Sequence, residues 1–150
     1  MLSWSVRNLI RFKSMKLRIA ILVFGLIIIF MGDGYGADWK FYSFNDLAES
    51  YYDVQSITRP SKNVVRVWER MNFTEKGIMD MVVRFGPSYK NLSFSMCLYE
   101  INCIEKKARI LSLAHYDDKR DVIHTTSFQG EWTFIIPESV VENLYEEICK

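Results

Sequence analysis

Residues 64–73 read VVRVWERMNF, and this stretch decides the fold class. Apolar side chains occupy most of the odd-numbered positions of the stretch, at Val65, Val67, Met71 and Phe73. The even-numbered positions between them carry Arg66, Trp68, Arg70 and Asn72. Because successive side chains of a strand point to opposite faces of its sheet, this alternation predicts a half-buried strand in an antiparallel sheet.

Further strands are predicted on both sides of this stretch, at residues 39–44, 51–54, 94–103, 108–116, 122–128 and 131–136. Polar residues 59–63 are predicted to form a turn. Apolar residues at helical spacing predict a short helix over residues 75–85, before the stop at Gly86-Pro87. Ser139 and Glu142 form a capping box that begins a C-terminal helix. We therefore predict an α+β fold: an antiparallel β-sheet of about six strands, with the C-terminal helix packed on one face and one additional short helix.

The N-terminal part of the chain has the pattern of an export signal. An uncharged apolar run at residues 19–31 follows five basic residues, and it is shorter than the roughly 20 residues that a membrane span needs. We predict a signal peptide over residues 1–37, cleaved after Ala37, and a single domain over residues 38–150 without a stable membrane span. Cleavage after Gly36, an uncleaved anchor and a start at Met15 are the alternatives.

Removal of this segment changes the charge of the protein. Residues 1–37 contain five Lys or Arg and one Asp, so the whole-chain net charge of +1 becomes −3 in the remainder. A mildly acidic domain lacks the basic excess that phosphate binding requires, so nucleic acid is not an expected partner. The predicted location is the periplasm, or the extracellular space or cell surface of a Gram-negative-type bacterium.

The three cysteines predict one disulfide in an oxidising compartment. Cys97 and Cys103 would lie roughly 20 Å apart on one strand, too far for a bridge. Cys149 is therefore expected to pair with Cys103 or Cys97, and we favour Cys103 because it ends its strand, within reach of the C-terminal helix. No CxxC or His-rich spacing supports a metal site.

The candidate binding face is formed by Arg66, Trp68 and Arg70, which share one side of the central strand. Two guanidinium groups around an indole can hold an anionic or aromatic group. The alternative interpretation is an ordinary solvated sheet face, or a face covered by a helix past which the arginine side chains extend to water.

Two histidines, His115 and His124, are expected to oppose each other across the loop of residues 117–120, close to Asp117, Asp118 and Asp121. Such a cluster can bind a metal or sense pH, but it lacks a third ligand at a fixed spacing. The sequence contains no G-x-S-x-G motif or phosphate-binding loop. We therefore predict no enzyme activity, no catalytic residue and no cofactor.

Motifs along the whole predicted domain resemble one family. Trp39, residues 51–53 (YYD) and residues 65–68 (VRVW) resemble its beginning. Its centre is matched by residues 98–103 (LYEINC), 109–111 (RIL) and 116–117 (YD). Its end is matched by Trp132, residues 136–139 (IPES), residues 144–145 (LY) and Cys149. The order and spacing of these motifs are similar to those of the surface-adhesin protein E family.

The resemblance implies an antiparallel sheet plus a helix, a bridge between the central and C-terminal cysteines, and export. It also implies an adhesive role, since the family is named after an outer-membrane lipoprotein that binds host matrix and plasma proteins. This chain has no cysteine near the predicted cleavage site, so lipid attachment there is not expected. We predict an exported, non-enzymatic module that recognises a protein partner; the alternative is a periplasmic small-ligand (anion) binding protein that uses Arg66, Trp68 and Arg70.

Overall fold

The computed structural model describes residues 36–150. The predicted signal peptide, residues 1–37, lies almost wholly outside the described residues and stays a prediction. Eight strands and two helices follow in the described part. The strands are β1 (Trp39–Phe44), β2 (Ala48–Asp53), β3 (Thr58–Ser61), β4 (Val64–Phe73), β5 (Leu92–Asn102), β6 (Lys107–Asp117), β7 (Val122–Ser127) and β8 (Thr133–Phe134). The helices are α1 (Glu75–Phe85) and α2 (Val140–Ile148), and two single-turn 3₁₀ helices cover Val54–Ser56 and Pro87–Asn91.

The strands form one antiparallel sheet in the order β1-β2-β4-β5-β6-β7. β3 pairs with β4, and β8 pairs with β6. Most of these pairs join strands that follow one another in the chain, and the exceptions are β2 with β4 and β6 with β8. The predicted α+β fold, with its antiparallel sheet and two helices, is confirmed.

Three elements differ from the prediction, and the ends of the other predicted strands agree to within two residues. β2 begins at Ala48 rather than at residue 51. Residues 58–61, partly expected as a turn, form β3, which accommodates Pro60 because a short strand paired on one side does not need every backbone donor. The last strand shrinks to Thr133–Phe134, since only these two residues pair with β6, at Ala108 and Lys107.

The hydrophobic core lies between one face of the sheet, called here the inner face, and α2. Leu144 and Ile148 of α2 are buried, as are Val65, Val67 and Ile101 on the sheet. The Ser139 hydroxyl caps α2 by accepting a hydrogen bond from the Glu142 backbone N–H at 3.2 Å. This is the N-cap expected from the sequence, and it starts the helix where its apolar side meets the sheet.

A disulfide joins Cys103, directly after β5, to Cys149, at the end of α2. The two Cα atoms lie 5.5 Å apart, within the range that a disulfide allows. The favoured pairing is therefore confirmed. The bridge attaches the end of α2 to the sheet next to the buried Ile148.

Candidate binding surface

The sheet face opposite α2, called here the outer face, carries the predicted binding residues. Arg66, Trp68 and Arg70 lie on it because they alternate with the buried Val65, Val67 and Glu69 along β4. Residues that pair with outer-face positions on the neighbouring strands belong to the same face. They are Phe41, Tyr51, Phe94, Met96, Leu98 and Tyr116. These side chains are partly or fully exposed. The outer face is thus a broad surface of aromatic and arginine side chains across five strands.

Arg70 occupies the centre of this surface. Its guanidinium carbon lies 4.2 Å from the centroid of the Phe94 ring, and Phe94 in turn stacks on Tyr116 at 4.8 Å. Its Nε donates a hydrogen bond to the side-chain oxygen of Asn72 at 2.8 Å. No carboxylate within residues 36–150 forms an ion pair with it. The Phe94 contact and the bond to Asn72 hold the guanidinium in place, while its terminal N–H groups have no acceptor among the described residues.

Arg66 has a different environment. Its Nε and Nη2 donate hydrogen bonds to Glu100 Oε1 at 3.0 and 2.6 Å. Arg109 donates in the same manner to Glu100 Oε2, at 2.8 and 2.6 Å. The Glu100 carboxyl is buried, and burial acts to raise its pKa, but the hydrogen bonds and charges of the two arginines outweigh this and hold the pKa below its ordinary value. Arg66 is thus already bound to an internal anion.

The structure therefore places the three predicted residues on one face but divides their roles. Trp68 lies between the two arginines, opposite Leu98 of β5. Of these three residues and within the described chain, Arg66 has an acidic partner and Arg70 presents a guanidinium without one. Whether this face binds a ligand stays a prediction, which we develop below.

The predicted histidine pair does meet. His115 and His124 are register partners on β6 and β7, with ring centroids 6.3 Å apart. His115 is buried, hydrogen-bonded to the Ser95 hydroxyl at 2.5 Å, and packed edge-on against Tyr89. Burial, followed by the neighbouring His124, lowers the pKa of His115. His115 is therefore neutral at neutral pH, and its contact with the His124 ring is a packing contact.

Asp117, one of the aspartates near this pair, organises the loop between β6 and β7. Asp117 accepts hydrogen bonds from the backbone N–H groups of Lys119 and Asp121, at 2.9 and 2.8 Å. Across residues 36–150, no three His, Cys, Asp or Glu side chains are grouped so that they could hold a metal ion.

Sequence reasoning did not predict the buried carboxyl groups, and the most enclosed of them in the described chain belongs to Glu69. This residue is 1% exposed and lies on the inner parity of β4, between Val67 and Met71. Tyr42 donates a hydrogen bond to Glu69 Oε1, whereas Oε2 has no partner among the described residues. Burial, opposed by the Tyr42 hydrogen bond, raises the pKa of Glu69 to about 7. The sequence did indicate this, because Glu69 is an acidic residue at one of the alternating positions of β4 that otherwise carry apolar side chains.

The unpaired thiol, Cys97, is the register partner of Glu69 and is 1% exposed. Burial, with a contribution from Glu69, raises the pKa of this thiol to about 12. A protonated, enclosed thiol is a poor nucleophile and metal ligand. Cys97 therefore acts as a small core residue.

Together, the fold and the outer face define a disulfide-linked α+β domain with a broad aromatic surface, the class of a binding module. The chain belongs to the surface-adhesin protein E family, whose family model matches residues 39–150. The resemblance seen in the sequence is thus confirmed. No curated protein and no solved structure matches the chain. Family membership points to an adhesin-like binding protein with a surface location and a protein as its partner.

Within the described residues, neither helix has the length and apolar character needed to cross a membrane.

Proposed function

We propose that this protein is an exported adhesin-type module that binds a protein partner through its outer face, with Arg70 receiving a carboxylate of that partner. The observation that carries the proposal is the state of Arg70. Its guanidinium carbon lies 4.2 Å from the centroid of the Phe94 ring, and the guanidinium has no acidic partner in the described residues, whereas Arg66 is bound to Glu100. An oriented, unpaired guanidinium is the group that a partner's Asp or Glu side chain would bind with two hydrogen bonds.

The shape and composition of the outer face favour a macromolecular partner. Aromatic, Met and Arg side chains are enriched in protein interfaces, and the most important contacts cluster around buried Trp, Tyr and Arg residues. Trp68, Tyr51 and Phe94 lie close to Arg70 in this surface. Small ligands, in contrast, are usually bound in concave sites. The small-anion alternative needs Arg66 and Arg70 to share one ligand, and Arg66 already donates to Glu100.

Export fits the same role. We propose that residues 1–37 are removed as a signal peptide, which releases residues 38–150 to the periplasm and then to the cell surface or the extracellular space. The Cys103–Cys149 disulfide supports this route because such bridges persist in oxidising compartments. Intact-mass measurement of the protein from the envelope and the medium tests this part directly, since it reports both the cleavage site and the location.

Binding is tested with the exported protein and a panel of immobilised extracellular-matrix and plasma proteins, by surface plasmon resonance. We expect saturable binding to at least one panel member, and a loss of affinity of at least tenfold in Arg70→Ala and in Trp68→Ala. Arg59→Ala removes the same charge from an exposed position of β3 and should leave the affinity unchanged. Absence of saturable binding across the panel, or equal affinities for Arg70→Ala and Arg59→Ala, would contradict the proposal.

A further inference from the structure

A concave feature lies on the other side of the sheet from the outer face, beside the start of α2. It is a cleft of about 390 Å³ between the inner side of β5 and β6, the segment of residues 128–136, and α2. Its apolar lining consists of Tyr99, Ala108, Ile110, Phe128, Phe134, Ile135, Ile136 and Val141. Ser139, Gly130, Thr133, Arg109 and Glu131 complete the wall. The volume lies within the range of pockets that hold small molecules.

The wall of the cleft is held in place by contacts outside it. The guanidinium of Arg109 is bound to the buried Glu100. Its carbon atom also lies 4.6 Å from the ring centroid of Trp132. The Phe128 N–H donates to the Leu111 carbonyl at 2.9 Å, at the point where β7 leaves β6. These contacts fix both ends of residues 128–132. The cleft is thus formed before any ligand binds, which lowers the cost of ordering on binding.

Close backbone packing also shapes this wall. A β-carbon on Gly130 would lie 2.4 Å from the carbonyl oxygen of Ile110, so residue 130 has room only for glycine. The Ile135 N–H donates to the Lys106 carbonyl at 3.0 Å and fixes the far end of the segment. Residue 130 therefore lies close to the backbone of β6, and residue 135 close to that of Lys106 just before it, at the two ends of the cleft. The cleft is the space left between this segment and β6.

The lining determines the chemistry of the ligand. Of its two charged residues, Arg109 is bound to Glu100 and stacked on Trp132, and Glu131 is exposed to solvent. No unpaired cation within the described lining remains to bind an anion. At the rim, Phe134 and Ile136 are 74% and 71% exposed, so an apolar ligand would remove additional apolar surface from water.

We propose that this cleft binds a small, uncharged, apolar molecule, with an aliphatic or aromatic body between β6 and the start of α2. The site is separate from the outer face and does not depend on the proposed protein-binding role. Its selectivity arises from shape and from the lack of an unpaired cation in the described lining, so an alcohol should bind better than the carboxylate of the same chain length.

The uncharged fluorophore N-phenyl-1-naphthylamine is the probe, titrated into the exported protein with its disulfide intact. We expect saturable fluorescence enhancement with one probe per chain. 1-Octanol should displace the probe, and octanoate at the same concentration should displace it at least tenfold less effectively. Ile136→Ser and Phe134→Ser should each weaken probe binding by about tenfold or more.

A matched control separates the cleft from general surface hydrophobicity. Ile104 is 71% exposed, as is Ile136, but it does not line the cleft, so Ile104→Ser should retain the affinity for the probe. All three substituted residues are exposed, and unchanged far-ultraviolet circular dichroism verifies that the variants are folded. A lack of saturable enhancement, equal losses in Ile136→Ser and Ile104→Ser, or equal displacement by octanol and octanoate would each overturn the proposal.

Discussion

Tyr42 of β1 donates a hydrogen bond to the carboxyl of Glu69 in β4, across the intervening strand β2. The bond attaches an edge strand of the sheet to a carboxyl that is 1% exposed. Cys97 and Tyr52, the register partners of Glu69 on the two neighbouring strands, add no opposite charge. A carboxyl in such surroundings favours its neutral form, because burial removes the water that would stabilise the anion.

The first prediction concerns the pH dependence of stability. The pKa of Glu69 is about 7 in the folded protein and has an ordinary value of 4.5, so the folded state binds more protons between these values. The contribution of Glu69 to the free energy of unfolding is therefore fully present below about pH 4.5 and is lost as the pH rises through 7. The loss amounts to roughly 3 kcal/mol, at 1.36 kcal/mol per unit of pKa.

This prediction is checked by urea denaturation between pH 5 and pH 8. Glu69→Gln keeps the shape and an acceptor for Tyr42 but cannot ionise, so its stability should change much less over this interval. Glu105→Gln, in which an exposed carboxyl is removed, should keep the pH dependence of the natural protein. If Glu69→Gln and the natural protein lose stability equally between pH 5 and pH 8, another group is responsible.

The second prediction concerns Glu100, which holds Arg66 and Arg109 on the outer side of the sheet. Glu100→Gln would leave two guanidinium groups facing an uncharged amide. Removal of one partner from a fully buried ion pair costs about 3–5 kcal/mol. The arginine side chains here are 41% and 33% exposed, so solvent reduces the expected cost to about 2 kcal/mol.

Urea denaturation at pH 7 measures this cost against a matched control. Glu105 forms an ion pair with Lys107 at 2.8 Å, but its side chain is 54% exposed, so Glu105→Gln should change the free energy of unfolding by less than about 0.5 kcal/mol. Similar effects of the two substitutions would show that burial of the Glu100 carboxyl does not strengthen its ion pairs.

Much of this fold is encoded in local sequence patterns. The alternation in residues 64–73 predicted the orientation of β4, and the helical spacing of Ile78, Met81, Val82 and Phe85 predicted α1. The disulfide followed from a distance argument along one strand together with the position of Cys103 at the strand end. The strand and helix inferences depend on residues close in sequence, where backbone geometry is fixed by the type of element, and the same strand geometry excluded a bridge between Cys97 and Cys103.

The division of roles between Arg66 and Arg70 could not be predicted in the same way. It depends on the register of β4 against β5, which places Arg66 opposite Glu100 and Arg70 opposite Met96. Register between strands separated by a helix is set by packing of the whole sheet rather than by local pattern. The cleft beside α2 was missed for the same reason, since its wall combines β6, the segment before α2 and the helix itself.

The third prediction concerns the disulfide between Cys103 and Cys149, which are 46 residues apart in the chain. Loop-closure entropy for this separation corresponds to a stabilisation of about 4 kcal/mol. The double variant Cys103→Ala/Cys149→Ala should therefore lose about that much free energy of unfolding, and dithiothreitol should have a similar effect on the natural protein. Dithiothreitol should not change the double variant, because Cys97 is a free thiol. Equal unfolding midpoints for the oxidised and reduced natural protein would contradict this prediction.

The fourth prediction concerns Gly77 in α1. Glycine inside a helix normally costs roughly 0.5–1 kcal/mol relative to alanine, so Gly→Ala in a helix is usually stabilising. Here a β-carbon would lie 2.1 Å from the carbonyl oxygen of Leu47, in the connection between β1 and β2. The close approach is fixed by neighbouring bonds: the Thr74 N–H donates to the same carbonyl at 2.9 Å, and the Thr74 hydroxyl accepts from the Gly77 N–H at 3.1 Å.

Gly77→Ala should therefore destabilise the protein, by about 1–3 kcal/mol, as expected for overpacking. Met79→Ala is the matched control, because Met79 lies in the same helix, is 65% exposed and gains helix propensity from the change. It should alter the free energy of unfolding by less than about 0.5 kcal/mol, measured by urea denaturation. If Gly77→Ala is as stable as the natural protein, α1 can move away from Leu47 at no cost, and the close contact does not position the helix.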